Sequence, residues 1–410
     1  MSDSDGPPHG GEWIGASAGS GGSGGHGAGH VRAAVSSNGG RALRSAIPRL
    51  DGIVSTAGRA EPSEGTLSRR GQRASGPGRA DGTSVGQDRG GNSSHRPSFD
   101  RQVPPGGYCW WYIDATSDCG RYALTVIAFI GSVFSPYYHW SGRGKPQNHV
   151  ALNVALYGKD RNSWSMTERG ERDLVRTQNS MQIGGSSIVY VDGGLEVVFD
   201  ETALPWPGHR LMPSRMSGRI RLEPQIQNDR VFDLDPEGHH IWWPVFPRAR
   251  VTVESNHLPD GGWQGEAYHD FNFGDRVLEE DFEHWDWARG PSGDQATTIL
   301  YDAVLRSGTR RTLGLVFSKE AEERHFAPPD RQMLPVGSWG VKGGIACDPG
   351  GAPRLSMKLE DAPFYRRSLV ETMVNGDQLV MVHETLDCNR LANPVVRMML
   401  PFRMPRRSSR

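Results

Sequence analysis

The sequence has few cysteines and no apolar segment long enough to cross a membrane as a helix. The longest apolar run, Tyr122 to Phe134, contains Gly131 and falls short of the ~20 residues that a spanning helix needs. The cysteines form no CxxC pair, and the first residues contain neither the basic nor the apolar region of a secretory signal. We therefore predict reduced thiols, a cytoplasmic location and no transmembrane helix.

Common catalytic and metal-binding signatures are also missing. The chain has no GxSxG sequence and no Gly-Lys-Ser/Thr loop, and its GxGxxG match at Gly19 to Gly24 lies in a glycine-rich tract without a preceding strand. Metal-ligating residue types do occur, but without HExxH spacing, and adjacent histidines on a strand face opposite ways. We predict no metal site. The ligand types in question are His239, His240, His257, His269 and Asp270.

Charge gives little indication of a polyanionic partner. The formal net charge is −1 and the pI is about 6.9, so we expect no nucleic acid as a partner. Arginines do cluster near both ends, either as solvated disordered segments or as weak attractors of an anionic membrane surface. These arginines are Arg69, Arg70, Arg73 and Arg79, and then Arg403, Arg406, Arg407 and Arg410.

The first hundred residues are poor in aromatic and apolar side chains. They hold 23 of the 53 glycines and 16 serines, but no lysine or cysteine, and their only aromatic residues other than histidine are Trp13 and Phe99. Such a segment cannot bury enough apolar surface to offset its chain entropy. We predict a disordered extension over residues 1–103 and a core that starts near Val103.

The rest of the chain has the pattern of an antiparallel β protein. Short β-branched and aromatic runs alternate with turn residues such as Asp192-Gly193-Gly194 and Asp260-Gly261-Gly262. About 300 residues of this kind suit two barrel or sandwich units. The candidate strands are Tyr108 to Asp114, Tyr122 to Phe134, His149 to Tyr157, Ser187 to Tyr190, Leu195 to Asp200, Ser217 to Leu222, Ala249 to Val253, Thr297 to Val304, Arg311 to Phe317 and Leu379 to Leu386.

Chemistry-bearing residues are concentrated in two segments, 238–247 and 265–274, joined by a predicted hairpin. If 265–274 is a strand, Tyr268 and Asp270 share one face because strand side chains alternate. A carboxyl group among aromatic residues would be desolvated, which raises its pKa and makes it a proton donor near neutral pH. We therefore single out Asp270 as a candidate acid.

Two simpler interpretations remain open for these residues. Asp270 could cap a turn with Asn272, and the tryptophans could be ordinary core. A carbohydrate enzyme with paired carboxylates is a further alternative, but we expect the acidic stretch 279–286 to be solvated.

Several blocks in order resemble the carotenoid 1,2-hydratase (hydroxyneurosporene synthase) family. They cover much of residues 104–290, and the first hundred residues have no counterpart in the resemblance. The blocks are His149 to Gly158, Trp164 to Gly170, Trp242 to Arg250, Tyr268 to Gly274 and Trp285 to Arg289.

The resemblance implies a two-part, lipocalin-like β architecture, which we place at residues 104–253 and 254–405. It implies a cofactor-independent hydro-lyase that adds water to the C1,C2 double bond of neurosporene- or lycopene-type carotenes. Asp270 and Tyr268 match the family's Tyr-x-Asp element. The family's catalytic histidine and tryptophan correspond to His239 or His240 and to Trp242 or Trp243, because both residues are doubled here.

In this interpretation, Asp270 protonates C2, and tryptophan and Tyr268 rings face the resulting C1 carbocation. His239 or His240 would hold the protonation state of Asp270 or accept a proton from the attacking water. A carotene is about as long as a bilayer core is thick, roughly 30 Å, so we expect peripheral contact with a membrane. The alternatives are a non-catalytic lipid or carotenoid carrier and a pericyclase-like terpenoid enzyme.

Overall fold

The computed structural model describes residues 96–159, 161–206, 211–293, 295–320 and 323–407. Most of the predicted disordered extension, with its arginine cluster at residues 69–79, lies outside these residues. Within them, strands dominate, and every strand pairing is antiparallel. The all-β prediction is therefore confirmed.

Twelve strands form the first sheet, in the order β4-β3-β2-β1-β12-β11-β9-β8-β7-β6-β5, with β10 paired to β11. The sheet curls into a nearly closed barrel, because the backbone amide of Leu204, just after β8, donates to the carbonyl of Trp164 in β4 at 2.9 Å. The strands are β1 (Tyr108–Ser117), β2 (Tyr122–Ile130), β3 (Val150–Gly158), β4 (Ser163–Arg169), β5 (Leu174–Arg176), β6 (Ser180–Ile183), β7 (Ser186–Val191), β8 (Gly194–Ala203), β9 (Ser214–Ile226), β10 (Phe232–Asp233), β11 (His240–Ser255) and β12 (Gly262–Gly274).

A second sheet has seven strands in the order β16-β15-β14-β13-β21-β20-β19, and β17 and β18 form a separate pair. Its strands are β13 (Phe282–Ser292), β14 (Ala296–Leu305), β15 (Arg310–Phe317), β16 (Glu323–Phe326), β17 (Arg331–Met333), β18 (Gly344–Ala346), β19 (Arg354–Asp361), β20 (Tyr365–Val374) and β21 (Asp377–Asp387). The helices are α1 (Pro136–Trp140), α2 (Leu278–Asp281), α3 (Cys388–Ala392) and α4 (Pro394–Met399), with 3-10 turns at Pro146–Asn148, Glu171–Asp173, Pro259–Gly261 and Leu400–Phe402.

Two large apolar cores result from the alternation of side chains along the strands. One fills the barrel and is built from first-sheet residues such as Trp111, Phe246 and Phe271. The other, which we call the inter-sheet core, joins the two sheets and includes Trp242 and Trp287. A smaller cluster covers the far face of the second sheet.

Eight of the ten candidate strands are longer in the structure than predicted, by one to eleven residues. The candidate at Tyr122 to Phe134 is shorter than predicted, since β2 ends at Ile130 and Gly131 adopts a φ of 64° that a side chain would disfavour. The core also begins earlier than predicted, at Phe99, which is fully buried against Trp111 and Tyr190.

The predicted division of the chain at residue 254 falls inside β11, whereas the change from the first sheet to the second lies between Gly274 and Phe282. The two-domain organisation itself stays a prediction. None of the helices in the described ranges is long and apolar enough to cross a membrane.

Two predictions of solvated charge are wrong for part of the residues that they covered. In the acidic stretch, Asp286 is only 4% exposed, and Glu279 is ion-paired with arginines. Near the C-terminus, Arg406 pairs with the buried Glu168, and Arg403 lies over the ring of Trp164 at 4.2 Å. The partners of these side chains come from distant parts of the sequence, so local charge pattern did not indicate that the side chains are paired.

Candidate active site

The middle of β12 supplies the central residues of the site. Tyr268 belongs to the inter-sheet core, whereas Phe271 belongs to the barrel core, as expected when neighbouring residues alternate between faces. Tyr268 is fully buried and Asp270, on the same face, is 5% exposed. The same-face prediction for Tyr268 and Asp270 agrees with this geometry.

Asp270 accepts three hydrogen bonds, all from neutral donors. The indole nitrogen of Trp242 and the hydroxyl of Tyr268 both donate to Oδ2, at 2.9 and 3.0 Å. The amide nitrogen of Asn272 donates to Oδ1 at 2.7 Å. Asp270 lies in the middle of a strand and not in a turn, so the turn-capping alternative does not describe its position.

Burial raises the pKa of Asp270 well above its usual range, although the hydrogen bonds from Trp242 and Tyr268 act in the opposite direction. The two effects suit an acid that must protonate a weak base. Desolvation favours the protonated carboxyl group at rest, and the three donors would stabilise the carboxylate once the proton has left.

Aromatic rings from both sheets surround this carboxyl group. Trp242 contacts Tyr301 of β14 at 5.4 Å between ring centroids, and Tyr268 contacts Trp287 of β13 at 5.2 Å. Tyr112 of β1 lies 5.7 Å from Trp287. Such π faces can stabilise a cation in a desolvated site.

Strand β1 brings polar residues that the sequence analysis missed. Its register places Tyr112 opposite Asp270 and Asp114 opposite Tyr268, on the same face of the sheet. Asp114 is 1% exposed and accepts a hydrogen bond from Nε of Arg289 at 2.8 Å. Burial raises the pKa of Asp114 above its usual value, although the charge and hydrogen bond of Arg289 act in the opposite direction.

A second missed group lies on the second sheet. Glu384 of β21 accepts hydrogen bonds from the hydroxyl of Tyr112 and from Nε of Arg367, the latter at 2.6 Å. Arg367 is 1% exposed and also donates to the hydroxyl of Tyr157 at 3.0 Å. Period-two alternation in 108–117 could have indicated Tyr112 and Asp114, but no local pattern indicates Glu384 or Arg367.

The doubled tryptophans are separated by strand alternation. Trp242 is 1% exposed and bonds Asp270, whereas the neighbouring Trp243 packs against the barrel core and donates to the carbonyl of Asn228 at 2.7 Å. The geometry therefore brings Trp242 to the site and takes Trp243 away from it.

Neither of the doubled histidines is hydrogen-bonded to Asp270. His239 is partly exposed and pairs with Asp275 at 2.8 Å. His240 is fully buried, with Nδ1 2.9 Å from the Tyr108 hydroxyl and Nε2 2.7 Å from Asp281. Burial lowers the pKa of His240.

In the part of the chain that the structure describes, no group of three His, Cys, Asp or Glu side chains is arranged to hold a metal ion. A cavity of about 240 Å³ lies along the second sheet and is lined by Asp286, Arg331 and His383, but also by Trp287 and Tyr301. The last two residues connect its wall to the aromatic rings around Asp270.

Sequence comparisons match most of the chain. The carotenoid hydratase CrtC family profile matches residues 126–410. An acyclic carotenoid 1,2-hydratase from Thiocapsa roseopersicina is 44% identical over 387 residues, which are 93% of each chain. One from Rubrivivax gelatinosus is 42% identical with the same coverage. One from Cereibacter sphaeroides is 41% identical over 69% of this chain and 98% of its own.

Because 93% of this chain is matched in the first two relatives, the unmatched residues are fewer than one hundred. Part of the first hundred residues must therefore be aligned with those relatives. The expectation that this segment has no counterpart is therefore wrong for the first two relatives.

Among solved structures, an AttH protein from Nitrosomonas europaea aligns with a TM-score of 0.47 and 11% identity over 68% of this chain and 91% of its own. A kievitone hydratase from Nectria haematococca aligns with a TM-score of 0.41 and 11% identity over 70% and 90%. The sequence matches, by contrast, show the family. This chain belongs to the carotenoid hydratase CrtC family.

Proposed function

We propose that this protein is an acyclic carotenoid 1,2-hydratase that adds water to the C1,C2 double bond of a neurosporene- or lycopene-type carotene. The relatives with that name match 93% of the chain. The observation that carries the chemistry is Asp270, a buried carboxyl group with three neutral donors and a surround of aromatic rings.

The first step is proton transfer from Asp270 to C2, the less substituted carbon of the double bond. An alkene is a very weak base, so the acid must be dry and its conjugate base must be stabilised as it forms. Trp242, Tyr268 and Asn272 supply that stabilisation without having to reorganise, because they already point at the carboxyl oxygens.

The second step is capture of the tertiary carbocation at C1 by water. The rings of Trp242, Tyr268 and Trp287 belong to the inter-sheet core, and two of them donate to Asp270. They would face the positive charge, a contact worth ~2 kcal/mol or more when desolvated. His240 serves as a positioning residue in this proposal: its contacts to Tyr108 and Asp281 fix the start of β11, two residues before Trp242.

The proposal is tested by incubating the purified protein with lycopene in ¹⁸O-labelled water and analysing the products by mass spectrometry. We expect a product heavier than lycopene by one molecule of labelled water, and no labelled product with heat-inactivated protein. Binding of lycopene without any product would instead support a carrier. A rearranged product of unchanged mass would support a pericyclase-like enzyme.

We further propose that the protein receives its substrate at a membrane surface. The segment 394–404 is amphipathic: Leu400 and Met404 are buried in the inter-sheet core, while Val395, Met398 and Phe402 are 68%, 69% and 84% exposed. Its buried side is thus part of the same core as Tyr268 and Trp242. An exposed apolar surface of this kind suits insertion into lipid.

A flotation assay with phosphatidylcholine/phosphatidylglycerol vesicles tests this contact. The double variant Met398→Ser/Phe402→Ser should bind vesicles more weakly than the unchanged protein, and Val198→Ser, at an exposed position on β8, serves as a control. Equal flotation of the unchanged protein and the double variant would remove this surface from consideration.

A further inference from the structure

Asp114 is a second buried carboxyl group on the face that carries Asp270. The antiparallel register pairs Asp114 with Tyr268 and Tyr112 with Asp270, so the two aspartates are diagonal neighbours across β1 and β12. Diagonal positions on one face are ~7–8 Å apart, so both carboxyl groups lie within reach of one reacting group of a substrate.

Burial raises the pKa of both aspartates, but their hydrogen-bond partners differ in charge. Oδ1 of Asp114 is held by the guanidinium group of Arg289, which is 3% exposed and comes from the second sheet. A buried guanidinium stabilises a carboxylate, whereas the donors around Asp270 are all neutral. Paired carboxyl groups whose environments differ in this way are suited to separate roles as acid and base.

The other oxygen of Asp114, Oδ2, is buried and has no hydrogen-bond partner among the described residues. Buried carboxylate oxygens normally accept hydrogen bonds, so an unpartnered one requires an explanation. A water molecule next to C1 of the substrate would supply the missing donor. Glu384 is less suited to this role, because its second oxygen, Oε2, is not among the buried oxygens that lack a partner in the described residues.

We propose that Asp114 is the general base that accepts the proton of the water attacking C1. This inference rests on the proposed hydration reaction. Asp270 gives its proton to C2, the water oxygen forms the C1–O bond, and one water proton moves to Oδ2 of Asp114. A proton then returns from Asp114 to the Asp270 carboxylate through solvent water, so that the net reaction consumes one water molecule and nothing else.

If Asp114 is the general base, its loss should slow capture of the carbocation by water more than return of the carbocation to the alkene. A purely structural role predicts no such change in the ratio of the two. In D₂O, Asp270 delivers deuterium to C2. If water capture is slow, the cation returns a proton from C2 to the Asp270 carboxylate, and the recovered lycopene contains deuterium. For Asp114→Asn we expect hydration to fall about 10²- to 10³-fold, while deuterium exchange into lycopene falls less than tenfold.

Controls separate this outcome from damage to the fold. Asp270→Asn should lose both exchange and hydration, and Asp114→Glu should recover part of the hydration. Glu201→Gln breaks the buried Arg169–Glu201 pair elsewhere in the barrel and should leave the ratio of exchange to hydration unchanged. If Asp114→Asn does not fold, the double variant Asp114→Asn/Arg289→Gln removes both charges and should give the same raised ratio.

Two results would overturn the assignment of Asp114. One is a parallel loss of exchange and hydration in the folded Asp114 variants, and the other is hydration at the normal rate. If the unchanged protein yields neither hydrated product nor deuterated lycopene, the proposed hydration function is wrong. That result differs from the two above, which concern only the variants of Asp114.

Discussion

Asp270 and Asp286 are buried to nearly the same extent, at 5% and 4% exposure, yet their pKa values move in opposite directions. Asp270 faces the inter-sheet core and has neutral donors. Asp286, on β13, accepts hydrogen bonds from Nε of Arg331 at 2.8 Å and from the hydroxyl of Thr385 at 2.6 Å.

Burial raises the pKa of both groups, but for Asp286 the hydrogen bond and charge of His383 and the charge of Arg331 outweigh it. The comparison shows that desolvation alone does not make an acid. Of these two carboxyl groups, only Asp270 lacks a cationic partner among its hydrogen-bond donors, which is why we propose it, and not Asp286, as the proton donor. The cationic partners of Asp286 lower its pKa and so favour its carboxylate form.

The largest expected effect is on turnover in Asp270→Asn. The amide keeps the size of the side chain and has no acidic proton, so carotene hydration should fall by about 10³-fold or more. At about pH 4, close to the unfolded pKa of an aspartate, thermal unfolding should change little, because a neutral amide replaces a carboxyl group whose raised pKa favours its neutral form. A stable and fully active Asp270→Asn protein would contradict the mechanism.

Asp286→Asn is the matched control for this experiment. Loss of the charge leaves Arg331 and His383 without their carboxylate, so the free energy of unfolding should fall by about 2 to 3 kcal/mol. Turnover per folded molecule should stay close to normal. Both quantities are measured on the same preparation, by product analysis and by urea unfolding.

The adjacent tryptophans give a second comparison of smaller size. Trp242→Phe removes one donor from the carboxylate that forms after proton transfer, so hydration should fall about 10- to 100-fold. Trp243→Phe removes a donor to the carbonyl of Asn228 on the opposite face, so the free energy of unfolding should fall by about 1 kcal/mol with turnover nearly unchanged. Equal losses of turnover in the two variants would show that the two faces of β11 do not differ in their effect on the reaction.

The third comparison concerns the dependence of stability on pH. Above the unfolded pKa of an aspartate, about 3.9, the folded protein keeps the proton of Asp270 while the unfolded chain releases it. The unchanged protein should therefore lose stability relative to Asp270→Asn as pH rises from about 4 toward the raised folded pKa.

Asp286 should show the opposite sign. Its stabilising effect is present above about pH 3.9 and is lost as pH falls through its lowered folded pKa. Urea unfolding of the unchanged protein and both variants from about pH 3 to about pH 7 measures these differences. Parallel curves for the three proteins would refute the assigned protonation states.

The sequence predicted the all-β fold and most first-sheet strands, because half-buried strands leave a period-two pattern and their turns contain glycine and aspartate. It did not predict β13, β19 or β20 as strands, although part of β13 lay in a recognised block. In β13, polar Asp286 and Arg289 occupy buried positions and interrupt the apolar pattern. Their partners, Arg331 and Asp114, come from distant segments, which no local pattern reveals.

The site was predicted in part for the same reason. Tyr268 and Asp270 lie two residues apart on one strand, so their common face follows from local geometry. The choice between Trp242 and Trp243 required the register of β11 against β12, which bulges shift between Trp243 and Ala249. Asp114 and Glu384 depend on long-range strand pairing and on packing between sheets.

The smallest expected effect is that of removing residues 1–95. The Cereibacter sphaeroides relative is matched over 98% of its length by only 69% of this chain, so much of this chain has no counterpart there. A chain that begins at Arg96 keeps Phe99, and its midpoint of thermal unfolding should stay within about 2 °C of the full chain, with unchanged turnover.

A chain that begins at Val103 loses the Phe99 ring from between Trp111 and Tyr190, and removal of a buried phenylalanine costs about 3 to 5 kcal/mol. Its midpoint should therefore fall by several degrees. Measuring both truncations beside Phe99→Ala in the full chain separates the ring from the segment before it. A large loss on removal of residues 1–95 alone would show that those residues contribute to the fold.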